Sequence, residues 1–366
     1  MKTERHGSFS MRSEKRPIMQ YYRTLKFSDE ACGFSGNDWH KLLTRHMLRG
    51  MDSFADAPSK PPVWAAKLPG WSMSRGRETS DMDAAFAAGI ALKSLDDLVR
   101  AAPVWIGCWR YRQALTCALS AVRLVGRDEE QAVLRDAILL TADGDDPGPA
   151  GRMVLAFRRL AMKKRTISSK VLEDLTGLMG LPRDAISELA DRFDNAAQSG
   201  RSVPFAAADL VANICAARPD AEILAWWLAD RLVAEKLGWE CGVPLMMGER
   251  YGAAFKTIGG RGRVRPGEPG FARAVCLALV EGTGAALRQA NDIGRRAEKL
   301  LAAAPKVRTK GAGVVIQKLL DEDSVAAAAP GSHLSRWAAT RLFERLEGFG
   351  AVRELSGRTS FRIFGL

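Results

Sequence analysis

From Arg336 onward the chain carries six arginines, Arg336, Arg341, Arg345, Arg353, Arg358 and Arg362, against three glutamates. A guanidinium is a permanent planar cation whose forked donors fit phosphate oxygens and the major-groove edge of guanine. Arg336, Thr340, Arg341, Glu344 and Arg345 follow Ser335 at helical spacing, whereas Arg353, Arg358 and Arg362 fall in two short segments, AVREL and TSFRIF. The first group suits a helix presented to a groove and the second suits a hairpin touching its flank. The candidate nucleic-acid contacts are therefore Ser335, Arg336, Thr340, Arg341, Glu344, Arg345, Arg353, Arg358 and Arg362.

No other group of residues adds up to a reaction centre. Asp96 and Asp97 are adjacent, and helical neighbours diverge by about 100 degrees, so they read as a solvated face rather than an acid and base pair. Asp143, Asp145 and Asp146 lack the remaining oxygen ligands of a calcium loop and read as an ordinary turn. Four histidines, His6, His40, His46 and His333, are too scattered for a metal cluster, although His333 stands where it can meet a phosphate. GGRGRVRPG has neither the Lys-Ser/Thr of a phosphate loop nor a preceding strand, and reads as an exposed basic loop. Cys32, Cys108, Cys117, Cys215, Cys241 and Cys276 contain no CxxC pair and mostly sit in apolar helical runs, as reduced thiols do. No catalytic residue, cofactor or metal is expected. Trp105 with Trp109 and Trp226 with Trp227 read as core.

The elements that must position the arginines lie between Gly311 and Leu366. The order expected is helix, short helix, turn, helix, strand, tight turn, strand. Val315 and Leu319 mark the first helix; Ser324 opens a brief second one that Pro330 and Gly331 stop; Ser332 caps the third. Leu334, Ala338, Leu342, Leu346 and Phe349 form the inward face of that third helix by 3.6-residue periodicity. Trp337 points outward, where it could dock the module on the rest of the chain. AVREL and TSFRIF pair across Ser356, Gly357 and Arg358, with Phe361 and Ile363 facing inward.

Upstream, the pattern is helical from Asp83 almost without interruption, and no strand alternation occurs before Ala351. Helices are expected from Asp83 to Pro103, on to Gly126 as a left-handed cap, from Asp128 to Leu140, at Arg152 to Lys163, Ser169 to Met179, Arg183 to Ala197, Phe205 to Ala217 and Ala221 to Leu237. One long or kinked helix follows Phe271. Residues 1–60 mix charge, Gly and Ser and read as a basic, disordered arm with one short helix near Trp39 to Arg49. Met51 is an alternative start, the first 50 residues being equally readable as a flexible native arm.

The 366 residues carry a formal net charge of +12, placed at the ends: Thr79 to Phe255 holds 21 Lys and Arg against 24 Asp and Glu, while Lys256 to Lys310 holds 12 against 4. Such ends favour polyanionic partners. Gly311 to Leu366 is only +1 overall, which points the other way. No apolar run approaches the ~18 residues of a membrane span, and the start lacks a signal sequence, so the cytoplasm is expected.

ATRLFERLEGFGAVRELSGRTSFRIF resembles the winged-helix ending of several bacterial regulators and of Fic-type protein tails. The Fic catalytic signature is absent, so AMP transfer is not implied. DAAFAAGIALKSLD, DPGPAGRMVLAFRRLA and PDAEILAWWLADRLVAEKLGW, with the ending, resemble the bacterial domain of unknown function 1403 from about Pro61 to Leu366. That resemblance implies a fold and no catalytic residues.

The fold class expected is mainly α: a multi-helix domain over 61–304, then a winged helix-turn-helix with a short β-hairpin over 311–366. The function expected is a DNA-binding transcriptional regulator or accessory protein, double-stranded DNA its partner, the helical domain dimerising or sensing an effector. Two alternatives stand beside it. One is a scaffold whose winged helix binds protein, and the other is an enzyme whose site the sequence does not disclose.

Overall fold

The computed structural model describes residues 67–72, 79–142, 144–162, 167–182, 186–257, 262–307, 309–358 and 360–366. The arm over 1–60 and the helix expected near Trp39 lie outside these residues.

Helices dominate because the apolar residues recur at helical spacing and the ends carry stop signals. Eleven α-helices are described: α1 (Asp81–Ala101), α2 (Ile106–Leu124), α3 (Gln131–Leu139), α4 (Gly148–Ala161), α5 (Ser169–Met179), α6 (Ile186–Gln198), α7 (Val203–Ala217), α8 (Glu222–Leu237), α9 (Phe271–Ala303), α10 (Ala312–Asp321) and α11 (Arg336–Gly348). Ser80 caps α1 by accepting the Asp83 N–H, and Ser168 caps α5 in the same way. Gly126, just beyond α2, takes φ +80°, the left-handed stop expected of it. No described helix is long and apolar enough to cross a membrane.

The centre is α8, buried on every side from Ile223 to Ala234. α1 lies along α9, α2 along α4, and α7 along α8. The tryptophans are core: Trp109 donates its indole N–H to the Ala286 carbonyl and Trp227 to that of Ala156, both at 2.9 Å, so each buries a large ring without orphaning its donor. Asp230, wholly buried, accepts the backbone N–H groups of Leu245 and Met246 and pins the chain as it returns under α2. Burial pushes its carboxyl up to about 7, the two N–H groups offsetting only part of that.

The C-terminal segment departs from expectation in one element. Ser324 opens no helix; Val325–Ala326 forms a strand, β1. β1 pairs antiparallel with β3 (Ile363–Gly365), which also pairs antiparallel with β2 (Arg353–Glu354), giving the order β1-β3-β2. A run of four alanines favours helix locally, but Asp323 is drawn inward by two arginines and Val325 is held in register with Phe364, so tertiary contacts override propensity. Turns carry the chain from β1 to α11. A further isolated bridge joins Lys256 to Arg263. It lies at the edges of the expected exposed basic loop, with Arg263 donating to the Gly252 carbonyl.

The segment is fastened to the helical body by a buried ion cluster. Asp323, on the turn after α10, receives Arg112 of α2 on one oxygen and Arg135 of α3 on the other, all three side chains almost fully buried. Arg112 also donates to the Asp323 and Leu366 carbonyls. Burial alone would raise the Asp323 carboxyl, but the two guanidinium groups outweigh it and hold it at about 2. The backbone comes close here too: a Cβ on Gly365 would lie 2.8 Å from the Asp323 carbonyl oxygen, and one on Gly107 2.9 Å from that of Asp321. Both positions require glycine for steric reasons.

Candidate nucleic-acid interface

α11 starts where Ser335, not Ser332, accepts the Ala338 N–H at 3.2 Å. Ser332 is buried and donates to the Ala329 carbonyl instead. The predicted contact Ser335 thus spends its oxygen on the helix start, although it remains exposed. The inward face is Ala339, Leu342, Phe343 and Leu346, rotated from the one expected: Ala338 is half-buried and Phe349 exposed. Phe343 sets the rotation by stacking nearly parallel on Phe364, centroids 4.5 Å apart. The expected face is thus corrected: Leu342 and Leu346 are buried as predicted, and packing against Phe364 of β3 brings in Ala339 and Phe343 in place of Ala338 and Phe349.

The opposite side of α11 is open. Arg336, Trp337, Arg341, Glu344 and Arg345 are exposed, and Thr340 is half-buried with its hydroxyl donating to the Arg336 carbonyl. Trp337 is 71% exposed and docks on no part of the body. The Arg341 guanidinium lies 4.7 Å from its ring centroid, a cation-π contact that orders both side chains in solvent. Among the described residues, Arg336, Arg341 and Arg345 have no ion-pair partner.

The hairpin arginines are placed differently. Arg358 pairs with Asp136 of α3 at 2.5 Å. Arg362 pairs with Glu354 at 2.7 Å and Glu347 at 3.6 Å, and its guanidinium covers the Phe364 ring. Arg353 is exposed on β2; partial desolvation, then the charges of Arg112, Arg296 and Arg135, lower its pKa. Phe361 does not face inward: it is 68% exposed with φ +54°, while Ile363 is buried as expected. The predicted contacts thus differ in state: Arg336, Arg341 and Arg345 on α11 are exposed without an ion pair, while Arg358 and Arg362 on the hairpin are paired.

Among the described residues no group of three or more His, Cys, Asp and Glu could hold a metal. Asp146 accepts the Gly148 N–H as a turn residue does, and Asp96, rather than facing water, takes the Arg100 guanidinium and the Trp239 indole N–H. A small hollow of mixed lining, with Gln113, Thr116, Glu249 and Gln289 beside Leu245 and Ala285, measures about 70 Å³, well below what a metabolite requires. A groove between α6 and α7 is larger, but its arginines are occupied, Arg192 by Glu188 and Arg201 by Asp209.

Residues 61–366 match a family model described as "Protein of unknown function (DUF1403)". The chain belongs to the DUF1403 family. No curated protein matches it. The match takes in every described residue, and the family description supplies no activity, so function has to be argued from the side chains above.

Proposed function

We propose that this DUF1403 chain binds double-stranded DNA through the outer side of α11, with Arg353 and the hairpin turn beside it. The observation that carries the reading is the open helical face on which Arg336, Arg341 and Arg345 have no carboxylate partner within the described chain. Helical order α10, β1, α11, then the β2-β3 hairpin, with β3 central, is compatible with a winged helix in which a turn replaces the second helix. In that reading α11 enters the major groove, Arg341 and Arg336 reach base edges or phosphates, and Thr340, Glu344 and Arg345 line the flanks. A regulatory role, with the helical body dimerising or sensing an effector in the cytoplasm, is the extension we favour.

The test is fluorescence anisotropy on labelled duplexes selected from genomic fragments, repeated across a salt series. Affinity should fall steeply with salt, and Arg341→Glu should weaken binding by about tenfold or more while the fold stays intact. An affinity indifferent to salt and to Arg341→Glu sinks the proposal. A second reading, a protein-binding face, is favoured by Trp337 and Phe361, because exposed aromatics beside arginine are the commonest protein hot-spot composition. It predicts that Trp337→Ala, and not charge reversal, abolishes capture of a partner.

A further inference from the structure

Two carboxylates pair with arginines across the junction between the helical body and the C-terminal segment, and they do so in different ways: Asp323 of the C-terminal segment meets arginines of the body, and Asp136 of the body meets Arg358 of the hairpin. Asp323 engages both carboxylate oxygens, one to Arg112 and one to Arg135, deep in the interior. Asp136, the very next residue after Arg135 on α3, engages one oxygen only. Its Oδ2 meets Arg358 at 2.5 Å, while its Oδ1 is buried without a hydrogen-bond partner. A half-satisfied carboxylate is a weaker hold than a fully bonded one. Arg358 itself is 40% exposed, so solvent, or a polyanion, reaches the guanidinium from the far side. The turn that carries it is knitted together by Glu354, which accepts the Ser356 hydroxyl and the Arg358 N–H and pairs with Arg362. The backbone of Arg358 is thus tied to the turn through Glu354, and its guanidinium ties the turn to α3 through Asp136.

A carboxylate and a phosphodiester present the same kind of paired oxygens to a guanidinium, and they compete for it. We infer that Asp136 is a displaceable latch: it occupies the Arg358 cation in place of a backbone phosphate and holds the hairpin turn against α3 until a nucleic-acid backbone takes the guanidinium. The inference rests on the nucleic-acid reading of the preceding section and adds to it a built-in brake. α3 then becomes the natural input point, because the same helix carries Arg135 to the buried cluster and Asp136 to the exposed turn.

The experiment measures duplex affinity for the full chain, Asp136→Asn, Arg358→Ala, the double variant, and Arg341→Glu as a control of the underlying reading, each checked by thermal melting for an unchanged fold. Asp136→Asn should tighten binding by about threefold to tenfold at fixed salt and steepen the salt dependence by about one phosphate contact. That gain should vanish in the Arg358→Ala background. If Asp136→Asn binds like the unaltered chain while Arg341→Glu binds worse, the latch is wrong and the DNA reading stands. If the gain persists without Arg358, removal of one negative charge explains it and the latch is again wrong. If neither the unaltered chain nor Asp136→Asn binds duplex, both ideas fall together; binding by Asp136→Asn alone supports a latch strong enough to silence the surface.

Discussion

Arg112 and Arg135 on one side, and Arg336, Arg341 and Arg345 on the other, show one residue type in two opposed settings. The first two are almost fully buried and share a single carboxylate; the other three stand in solvent with no acidic partner among the described residues. A buried guanidinium is tolerable only when paired and hydrogen-bonded, so the first pair is committed to holding the chain together. An exposed one costs little to leave unpaired and keeps its donors available. Arginine count alone therefore says nothing about binding; what separates the two groups is whether a carboxylate already occupies the fork.

The sharpest way to break the contrast is Asp323→Ala, which strands two buried cations. It should cost about 3–5 kcal/mol in denaturant unfolding. Replacing Asp323, Arg112 and Arg135 together by apolar residues of similar volume should recover most of that loss. Next in size is Phe343→Ala, which removes the ring stacked on Phe364 and should cost about 3 kcal/mol or more, whereas Trp337→Ala on the other side of the same helix should stay within about 0.5 kcal/mol. Equal losses would mean that the open face is in fact packed.

Acidity separates two buried carboxylates in the same manner. The Asp323 carboxyl is held at about 2, below its ordinary value near 3.8, so the stability it lends is complete above pH 4 and drains away as the pH falls toward 2. Asp230 is raised to about 7, so the folded chain binds that proton more tightly than the unfolded one, and stability declines as the pH rises from about 4 to 7. Asp230→Asn should flatten the neutral limb and leave the acid limb alone, as read by thermal melts across pH. A smaller loss, about 1 kcal/mol, is expected of Ser335→Ala from the lost α11 cap, with Ser332→Ala free of any change in helix start by amide exchange.

Apart from the short helix expected after Ser324, helix existence was legible because apolar spacing and Gly, Pro or Ser stops agree; α8 and α9 fall where periodicity puts them. Arg336 and Arg341 were legible as solvent-facing, since they lie off the expected apolar stripe, whereas Arg345 falls within that stripe by spacing and turns outward only because the buried face is rotated toward Phe343. Three features were not legible. β1 is two residues long in an alanine run, and its pairing partner lies in the final hairpin. The choice of Phe343 over Phe349 as a core ring depends on Phe364. The ion cluster joins residues far apart in the chain, and Asp323, inside the sequence Asp-Glu-Asp, looks like part of a solvated acidic run. Each is a long-range pairing, which one-dimensional spacing does not encode.

The separation between Arg112 and Asp323, 211 residues, has a consequence for how the chain is made. During synthesis α2 and α3 leave the ribosome long before the carboxylate that neutralises their interior arginines exists. At elongation rates of roughly 5–20 residues per second, those two side chains wait about ten seconds or more before their counter-ion emerges. Until then the early helices can associate only loosely around a pair of uncompensated charges, so the nascent body stays open until the stretch around Asp323 arrives to close it.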